Sequence, residues 1–359
     1  MMMPAPVATA QRPGVGRSIK VILLKYREIS VAIVALIVCV IFQSISQYFF
    51  SLNEMAVILR LTGQYGLLAL AEVLVMITGE IDLSAAKIYG IAPFVMYFFY
   101  NGFSLPLIFF SVSVPATPLI IAFVLALLAG VGIGFVNGFV TVKFGVPSLI
   151  TTLGTFFFLD GFTQYMANSQ QLPEAYPEPF AKIFGYNLYT PDTGFQLAYI
   201  TNISIFLWAA GAALAITYIL KKSVFGLHTI AVGSNLEGAK EIGIRVQRTK
   251  IMNFMIGGAL AAFAGILFAV LNTETDPSAG DPSLNLYAIA AAVIGGTSLF
   301  GGSGTAIGAI LGAFVIASLS LGLPLIGVST NISNMIVGIA ILAAMVLNIY
   351  LDHFRARRM

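Results

Sequence analysis

The sequence predicts an all-α fold: a polytopic membrane protein of about ten transmembrane helices, with both termini in the cytoplasm. Charged residues make up only 9% of the 359-residue chain, against about 25% in ordinary soluble domains. The mean hydropathy is +0.95. Apolar runs of about 20 residues, the length that crosses a bilayer core as a helix, recur along the chain. These observations exclude a soluble multidomain protein.

Ten apolar runs are candidate spans. The first is predicted to be a retained span and not a cleaved signal peptide, because it is longer than a usual signal h-region and no small-residue cleavage motif follows it. The runs 84–100 and 286–300 are short, so the count falls to eight if they are re-entrant. The ten runs are 29–50, 56–78, 84–100, 118–141, 146–166, 201–220, 251–271, 286–300, 305–322 and 331–350.

The distribution of Lys and Arg orients these spans. Three segments, 1–28, 221–250 and 351–359, hold 14 of the 18 basic residues. Cytoplasmic segments of membrane proteins carry an excess of Lys and Arg. We therefore predict an N-terminal tail, a central loop and a C-terminal tail, all cytoplasmic, around a transmembrane domain of residues 29–350. Six spans before the central loop and four after it satisfy this orientation.

Two acidic segments are predicted to lie on the opposite, outer face. Residues 167–200 carry Glu174, Glu178 and Asp192 against a single Lys, and residues 272–287 carry three acidic residues and no basic one. Both segments are rich in Pro, Asn and Tyr, and clusters of Pro and Asn between periodic segments are typical of loops.

Glycines four residues apart occur in two of the runs. Small residues at this spacing let helix backbones approach closely in lipid. The spacing favours helix packing within the chain, with a contact between subunits as the alternative. The two sets are Gly130, Gly134 and Gly138, and Gly304, Gly308 and Gly312.

The sequence contains no constellation for catalysis or metal binding. The glycine-rich stretch 294–305 lacks the Gly-Lys-Ser/Thr ending of a phosphate-binding loop, and we expect it to form a tight turn near the cytoplasmic face. His228 and His353 have no partners at metal-ligand spacing. Cys39 is the single cysteine, and no G-x-S-x-G elbow is present. The chain is therefore predicted not to be an enzyme and to bind no metal or cofactor itself.

Ionisable residues interrupt the apolar pattern near the second and third runs. Glu72 lies in the second run, and Glu80 and Asp82 follow in "TGEIDLSAAK". A charged side chain at the bilayer centre costs at least about 2.5–3.5 kcal/mol, so such residues usually face a cavity or a partner. One interpretation is a broken helix lining a pathway, with Asp82 and Ser84 capping the next segment. The other is a capped turn at the cytoplasmic membrane boundary. Further polar candidates within the runs are Asn137, Asp160 and Gln164.

The stretch "AVGSNLEGAKEIGI", residues 231–244, predicts a short capped helix within the central basic loop. Ser234 and Glu237 have the spacing of a capping box, and Gly243 provides a C-terminal stop. The apolar side would be formed by Leu236, Ala239 and Ile242, and the charged side by Glu237, Lys240 and Glu241. A helix of about two turns is marginal alone in water, so we expect it to rest on the membrane surface or on a partner.

Three stretches resemble the inner-membrane permeases of ribose-, xylose- and galactose-type carbohydrate ABC importers. They are "ITGEIDLS" (77–84), "AVGSNLEGAKEIGI" (231–244) and "AIAAAVIGGTSLFGGSGTAIGAILGAFVI" (288–316), and their order and spacing also match. The resemblance extends over residues 50–350. It implies a multi-pass permease of a bacterial inner membrane, without its own ATPase site, that moves a monosaccharide or similar polyol by alternating access.

The resemblance also implies partners. ATP and Mg²⁺ would be bound by separate cytoplasmic ATPase subunits, and a periplasmic solute-binding protein would dock on the acidic outer loops. A second copy or a sibling permease would pair with this chain in the lipid, and no nucleic acid is expected. The implied ATPase-coupling residues are Ser234, Asn235, Leu236, Glu237, Ala239, Lys240, Glu241, Ile242 and Gly243.

The sequence departs from the family pattern in places. In the first motif Glu80 replaces the second Gly of Gly-Gly-Ile-Asp-Leu-Ser, and Ala-Ala follows the Ser where the family has Val-Gly. Before "AIAA", the family's Glu-Leu-Asp is replaced by Asn285, Leu286 and Tyr287. If these positions touch the solute, the ligand is atypical. The candidate substrate-pathway residues are Glu72, Glu80, Asp82, Ser84, Asn137, Asn285 and Tyr287.

A secondary transporter or channel that acts without an ATPase is the alternative. Such a protein predicts carboxylates for a coupling ion paired deep in the spans, and repeated halves. The sequence contains no convincing internal repeat, and the short helix at 231–244 would then have no assigned role.

Overall fold

The computed structural model describes residues 27–106, 111–185 and 198–356. Most of the predicted N-terminal tail, residues 186–197 of the first acidic segment and the last three residues lie outside these ranges. The described chain contains thirteen helices and four short strands. In chain order they are α1 (Arg27–Ile45), α2 (Leu52–Ile77), α3 (Ala85–Asn101), β1 (Phe103–Pro106), β2 (Ser111–Val114), α4 (Leu119–Phe144), α5 (Ser148–Met166), β3 (Leu172–Pro173), α6 (Glu178–Phe184), α7 (Ala198–Lys222), α8 (Val224–Ser234), α9 (Leu236–Glu241), α10 (Val246–Asn272), β4 (Glu274–Thr275), α11 (Pro282–Ile294), α12 (Ala306–Leu325) and α13 (Thr330–Ala356).

Each of the ten predicted apolar runs forms a helix. Within the described ranges, six helices are long and apolar enough to cross a membrane: α1, α2, α4, α7, α10 and α12. Helix α5 has 19 residues, but its threonines, Asp160 and Gln164 lower its hydropathy. Helices α3 and α11 are short, with 17 and 13 residues. The apolar helix α8, inside the central basic loop, was not predicted.

Helix α2 is the centre of the bundle. Its most apolar window is 72% buried, against 22% for the corresponding windows of α1 and α4. It packs against α7, α10, α11 and α12, and a methyl group on Gly63 would come within 2.6 Å of the Ile205 backbone in α7. The outer helices expose large apolar side chains such as Leu36, Leu128 and Leu214. Lipid or another membrane chain suits such a surface.

The close helix contacts favoured by the glycine spacing are present within the chain. A methyl group on Gly130 of α4 would come within 2.4 Å of the Gly258 oxygen in α10, and one on Gly258 would come within 2.2 Å of the Gly130 oxygen. Gly308 and Gly312 of α12 make similar contacts with the backbone of α11. The packing interpretation is therefore confirmed for these positions.

One end of the bundle brings the two acidic segments together. Strands β3 and β4 pair with Pro173 opposite Glu274. We call this end, with residues 167–185 and 272–281, the acidic end. The pKa of Glu178 there lies below its usual value because Lys182 donates a hydrogen bond to its carboxylate. The carboxylate therefore stays ionised over a wider pH range.

The opposite end contains the central basic loop. Helix α8 contacts the end of α2 and the glycine-rich turn here, and α9 follows it directly. We call this end the basic end. The Gly302 N–H donates to the Ile77 oxygen at 2.8 Å, and the Ile81 N–H donates to Ser148 Oγ at 3.2 Å. The turn itself uses positive φ angles, among them 88° at Gly296 and 87° at Gly301, as the sequence predicted for a tight turn.

Helices α3 and α11 are shorter than a full span. α3 starts only after the break at residues 78–84, and α11 rises about 20 Å over its 13 residues, short of a hydrocarbon core of roughly 30 Å. The loop 276–281 packs on the first turns of α3, since a methyl group on Gly280 would come within 1.8 Å of the Ala86 oxygen. A loop of the acidic end therefore reaches the start of α3.

Candidate functional site

The break between α2 and α3 contains a buried chain of hydrogen bonds. Asp82 Oδ1 accepts from the Ser84 N–H at 2.8 Å and from Ser84 Oγ at 2.6 Å. Asn137 Nδ2 of α4 donates to Ser84 Oγ at 2.7 Å, and Thr155 Oγ1 of α5 donates to Asn137 Oδ1 at 2.6 Å. The Asp82 N–H reaches Glu72 Oε2 at 3.4 Å. Helices α2, α4 and α5 thus hold the break.

The first turn of α3 is capped from another helix. Sequence analysis gave this role to Asp82 and Ser84, but Ser84 makes no capping side-chain bond to the described helix. Instead, Asn285 Oδ1 of α11 accepts from the Ala86 N–H at 3.2 Å. Its Nδ2 donates to the backbone carbonyl oxygen of Asp82 at 3.3 Å. An amide supplies both functions at once, because it carries an acceptor and a donor. One departure from the family pattern therefore closes the break.

These polar groups are removed from solvent. Glu72, Ser84 and Asn137 are fully buried, and Asp82 and Asn285 are 2% exposed. Among the described residues, Glu72 Oε1 has no hydrogen-bond partner. Buried polar groups without partners cost about 1–3 kcal/mol each. The network is thus tightly packed in this conformation, with one acceptor left over.

Replacing Asp82 by Ala should reduce transport more than it reduces protein abundance. The change leaves the Ser84 N–H and hydroxyl without their acceptor, at a cost of about 1–3 kcal/mol each, at the point where the chain passes from α2 to α3. Uptake normalised to the amount of membrane-inserted protein measures this, with Asp82→Asn as the matched variant that keeps an oxygen acceptor. Equal losses of uptake and abundance would reduce Asp82 to a structural cap.

A half-buried ion pair lies beside the break. Lys87 Nζ lies 2.6 Å from Asp160 Oδ1 of α5, with side-chain exposures of 4% and 40%, and donates to the Ala279 oxygen at 3.2 Å. Sequence analysis singled out Asp160 but not Lys87. The signal that points to this pair is a single cation in the third run and a single anion in the fifth, because charges inside a membrane usually pair.

The short helix of the basic end is α9. Its N-cap is Asn235, whose Oδ1 accepts from the Gly238 N–H at 2.9 Å. The predicted capping box is wrong, because Ser234 still belongs to α8. The predicted stop at Gly243 is confirmed by its φ of 82° and by the Ile244 N–H bond to the Ala239 oxygen at 3.0 Å, which completes a Schellman motif.

The apolar side of α9 is only partly covered. Ala239 is 3% exposed and packs with Val232 and Val246, whereas Leu236 is 38% and Ile242 75% exposed. On the charged side, Lys240 Nζ pairs with Glu237 at 2.8 Å on the surface. Of the predicted apolar side, Ala239 is therefore packed within the basic loop, while Leu236 and Ile242 are exposed.

The three stretches that carry the family resemblance meet at the basic end. A methyl group on Gly233 would come within 1.7 Å of the Ile77 oxygen and within 2.5 Å of the Gly302 nitrogen. Ser234 Oγ donates to the Gly302 oxygen at 3.4 Å. We call this meeting of residues 77–80, 231–234 and 300–302 the basic-end junction. It connects α9 to the end of α2 and thus to the helix break.

Glu80 joins the junction to the next helix. Its Oε1 accepts from Lys250 Nζ of α10 at 2.5 Å, and each side chain is 15% exposed. The carboxylate that departs from the family pattern thus pairs with a cation of the basic loop. Tyr287 lies elsewhere, with its ring 5.5 Å from that of Tyr65. The structure therefore brings together five of the seven candidate pathway residues and leaves Glu80 and Tyr287 apart.

In the described residues, helices of membrane length surround a helix break that buried polar groups hold. This arrangement is typical of membrane transport proteins. The family described as branched-chain amino acid transport system / permease component matches residues 54–345. The chain belongs to this family.

Named relatives agree with this class. The chain is 32% identical over 324 residues to the xylose/arabinose import permease protein XylH of Sulfolobus acidocaldarius, covering 90% of this chain and 85% of the relative. It is 32% identical over 322 residues to the autoinducer 2 import system permease protein LsrC of Photorhabdus luminescens, covering 89% of each. The LsrC protein of Escherichia coli O157:H7 is 29% identical over 322 residues, covering 89% and 86%. No solved structure matches the chain.

Proposed function

We propose that the chain is the transmembrane permease subunit of an ATP-binding-cassette importer, which moves a monosaccharide or similar polyol across the inner membrane. The xylose/arabinose and autoinducer 2 import permeases among its relatives support this class of solute. In this proposal the basic end and both termini face the cytoplasm, as the excess of Lys and Arg favours.

The basic-end junction carries the proposal. Helix α9 presents Leu236 and Ile242 to the outside of the chain, and exposed apolar side chains on a polar segment are typical of a partner-binding surface. Gly233 and Ser234, the last residues of α8 directly before this helix, contact Ile77 and Gly302. A displacement of α9 by ATPase subunits would therefore pass directly to the helix break, since packed contacts of this kind are not continuously deformable.

Each part of the chain has a role in this proposal. ATP and Mg²⁺ are bound by the partner ATPase, and residues 234–243 receive its motion. The hydrogen-bonded residues at the break, centred on Asp82, Ser84 and Asn137, open and close the solute path. A periplasmic solute-binding protein docks on the acidic end, and a second copy or a sibling permease covers part of the exposed apolar surface.

Reconstitution tests the proposal directly. The chain, its ATPase and its solute-binding protein are placed in proteoliposomes, and uptake of labelled xylose and arabinose is measured with and without ATP. We expect uptake that requires all three components and ATP hydrolysis. Uptake by the chain alone, driven by an ion gradient, would instead show a secondary transporter, and gradient-independent leakage would show a channel.

Replacing Ile242 by Glu should weaken association with the ATPase by about 30-fold or more, because central apolar contacts at interfaces contribute about 2 kcal/mol or more. Co-purification of the ATPase and ATP-driven uptake measure the effect. Ile242→Val is the matched variant, since it keeps an apolar side chain, and it should bind normally. Unchanged co-purification of the Glu variant would exclude α9 as the ATPase contact.

A further inference from the structure

A cavity near the acidic end shares no lining residue with the helix-break network or with α9. Its volume is about 280 Å³, near the lower limit of the roughly 300–1,000 Å³ found for small-molecule sites. It lies between α2, α3, the start of α11 and the loop 276–281. A space of this size holds one small solute and is too small for a peptide.

Aromatic rings form much of the cavity wall. The rings of Tyr65 and Tyr287 lie 5.5 Å apart, and Tyr89 packs against Phe268 at 5.6 Å. Aromatic walls with a few fixed polar groups are typical of sites that orient a small ligand. The flat C–H face of a sugar ring can pack on such rings, while the hydroxyl groups at its edge reach polar atoms.

The polar groups offer both donors and acceptors. Gln64 Nε2 donates to the Tyr89 hydroxyl oxygen at 2.8 Å, which leaves the Tyr89 hydroxyl hydrogen to donate and Gln64 Oε1 to accept. Asp276 Oδ1 accepts from the Ser278 N–H at 2.8 Å, and a carboxylate has about four acceptor positions in all. Hydroxyl groups, which donate and accept, suit this arrangement.

The charge of the lining disfavours anionic solutes. Among the described residues that line the cavity, the charged side chains are Asp276 and Asp281, and none is cationic. The N-terminus of α11, which would otherwise attract an anion, is already capped: Asp281 accepts from the Leu284 N–H at 2.9 Å and from Ser283 Oγ at 2.7 Å. The cavity wall itself therefore offers no cation to the carboxylate of an amino acid.

We propose that this cavity binds a neutral polyhydroxy solute of monosaccharide size within the permease itself. Gln64, Tyr89 and Asp276 bind its hydroxyl groups, and Tyr65 and Tyr287 contact its ring. This inference rests on the proposed function and adds a second place, besides the solute-binding protein, where the solute is selected. Tyr287 departs from the family pattern, so the cavity is also where an atypical sugar would be recognised.

Saturation-transfer NMR on the full chain in lipid nanodiscs, without ATPase or solute-binding protein, tests the site. The probes are D-xylose, L-arabinose, ribitol, choline and L-leucine. We expect saturable binding of at least one of the three polyols and none of L-leucine. Gln64→Leu and Asp276→Ala should each weaken polyol binding about tenfold or more, because each removes a hydrogen bond to the solute. Glu178→Gln, at the same end but outside the cavity, should bind as the wild type does.

Several results would overturn the inference. They are the absence of saturable binding for all three polyols, preferential binding of choline or L-leucine, and an equal effect of Glu178→Gln. Thermal unfolding in nanodiscs shows which of the two cavity variants are folded, and either one alone suffices for the comparison. If the wild-type chain binds none of the three sugars and polyols but still takes up solute with ATP, only this site is contradicted. If the wild type shows no ATP-driven uptake, the proposed function itself is contradicted.

Discussion

Charge reversal at Glu80 is expected to reduce ATP-driven uptake at least tenfold, and the matching reversal at Lys250 is expected to restore most of it. The two side chains form an ion pair at 2.5 Å with 15% exposure each. Removing one partner of a fully buried pair costs about 3–5 kcal/mol, because the other charge is left uncompensated, and this partly buried pair is expected to lose a large part of that. Reversal adds repulsion between two cations, so Glu80→Lys should have a larger effect than Glu80→Gln.

A double-mutant cycle distinguishes an interaction between Glu80 and Lys250 from a general loss of structure caused by either substitution. Glu80→Lys, Lys250→Glu and the double variant are compared for uptake and for thermal stability in nanodiscs. Coupling between residues in contact amounts to about 0.5–3 kcal/mol. Matched reversal at Lys240, whose pair with Glu237 is on the surface, should change thermal stability little, since exposed pairs contribute about 0–1 kcal/mol. Additive effects of the Glu80 and Lys250 variants would show that the pair is not coupled.

Gly233→Ala is expected to disrupt the basic-end junction although it adds a single methyl group. That methyl group would come within 1.7 Å of the Ile77 oxygen, and the obstacle is backbone, which no change of rotamer relieves. Overpacking of this kind costs typically about 1–3 kcal/mol, occasionally more. Ala also favours a helix over Gly by about 1 kcal/mol, so a loss of stability cannot come from weaker helix formation in α8.

Protease sensitivity of residues 231–244 and co-purification of the ATPase measure this effect. We expect the variant to expose the segment and to lose most ATPase binding while the membrane helices remain inserted. Gly211→Ala in α7 is the matched control, because a methyl group there meets no described atom within 4 Å. A junction that tolerates Gly233→Ala with normal coupling would mean that α8 and α2 can separate without consequence.

Local patterns predicted much of this fold. Each apolar run is a helix, and the stop at Gly243 follows from glycine's access to positive φ. The N-cap was misplaced by one residue because Ser234 and Asn235 are both good caps, and the choice depends on where α8 ends. Helix α8 itself was missed because an apolar helix of 11 residues inside a basic loop has no clear boundary in the sequence.

Contacts over long distances in sequence could not be predicted in the same way. Glu80 and Lys250 are 170 residues apart, and Asn285 caps a helix that begins 200 positions earlier in the chain. The sequence around each of these residues gives no indication of which distant residue it contacts. Composition could indicate only that a charge near an apolar run needs a counter-charge, which points towards Lys87 and Asp160 because each is isolated in its own run.

The glycine contact between α4 and α10 has a mechanical consequence. Because the backbones of Gly130 and Gly258 are in contact, α4 and α10 cannot slide past each other without breaking that contact. The two helices are therefore expected to move as one rigid unit. Helix α10 has 27 residues and spans about 40 Å. It carries Lys250 near one tip, while the loop that borders the tyrosine-lined cavity follows the other. A small tilt imposed at the basic end would therefore change the width of the tyrosine-lined cavity at the acidic end.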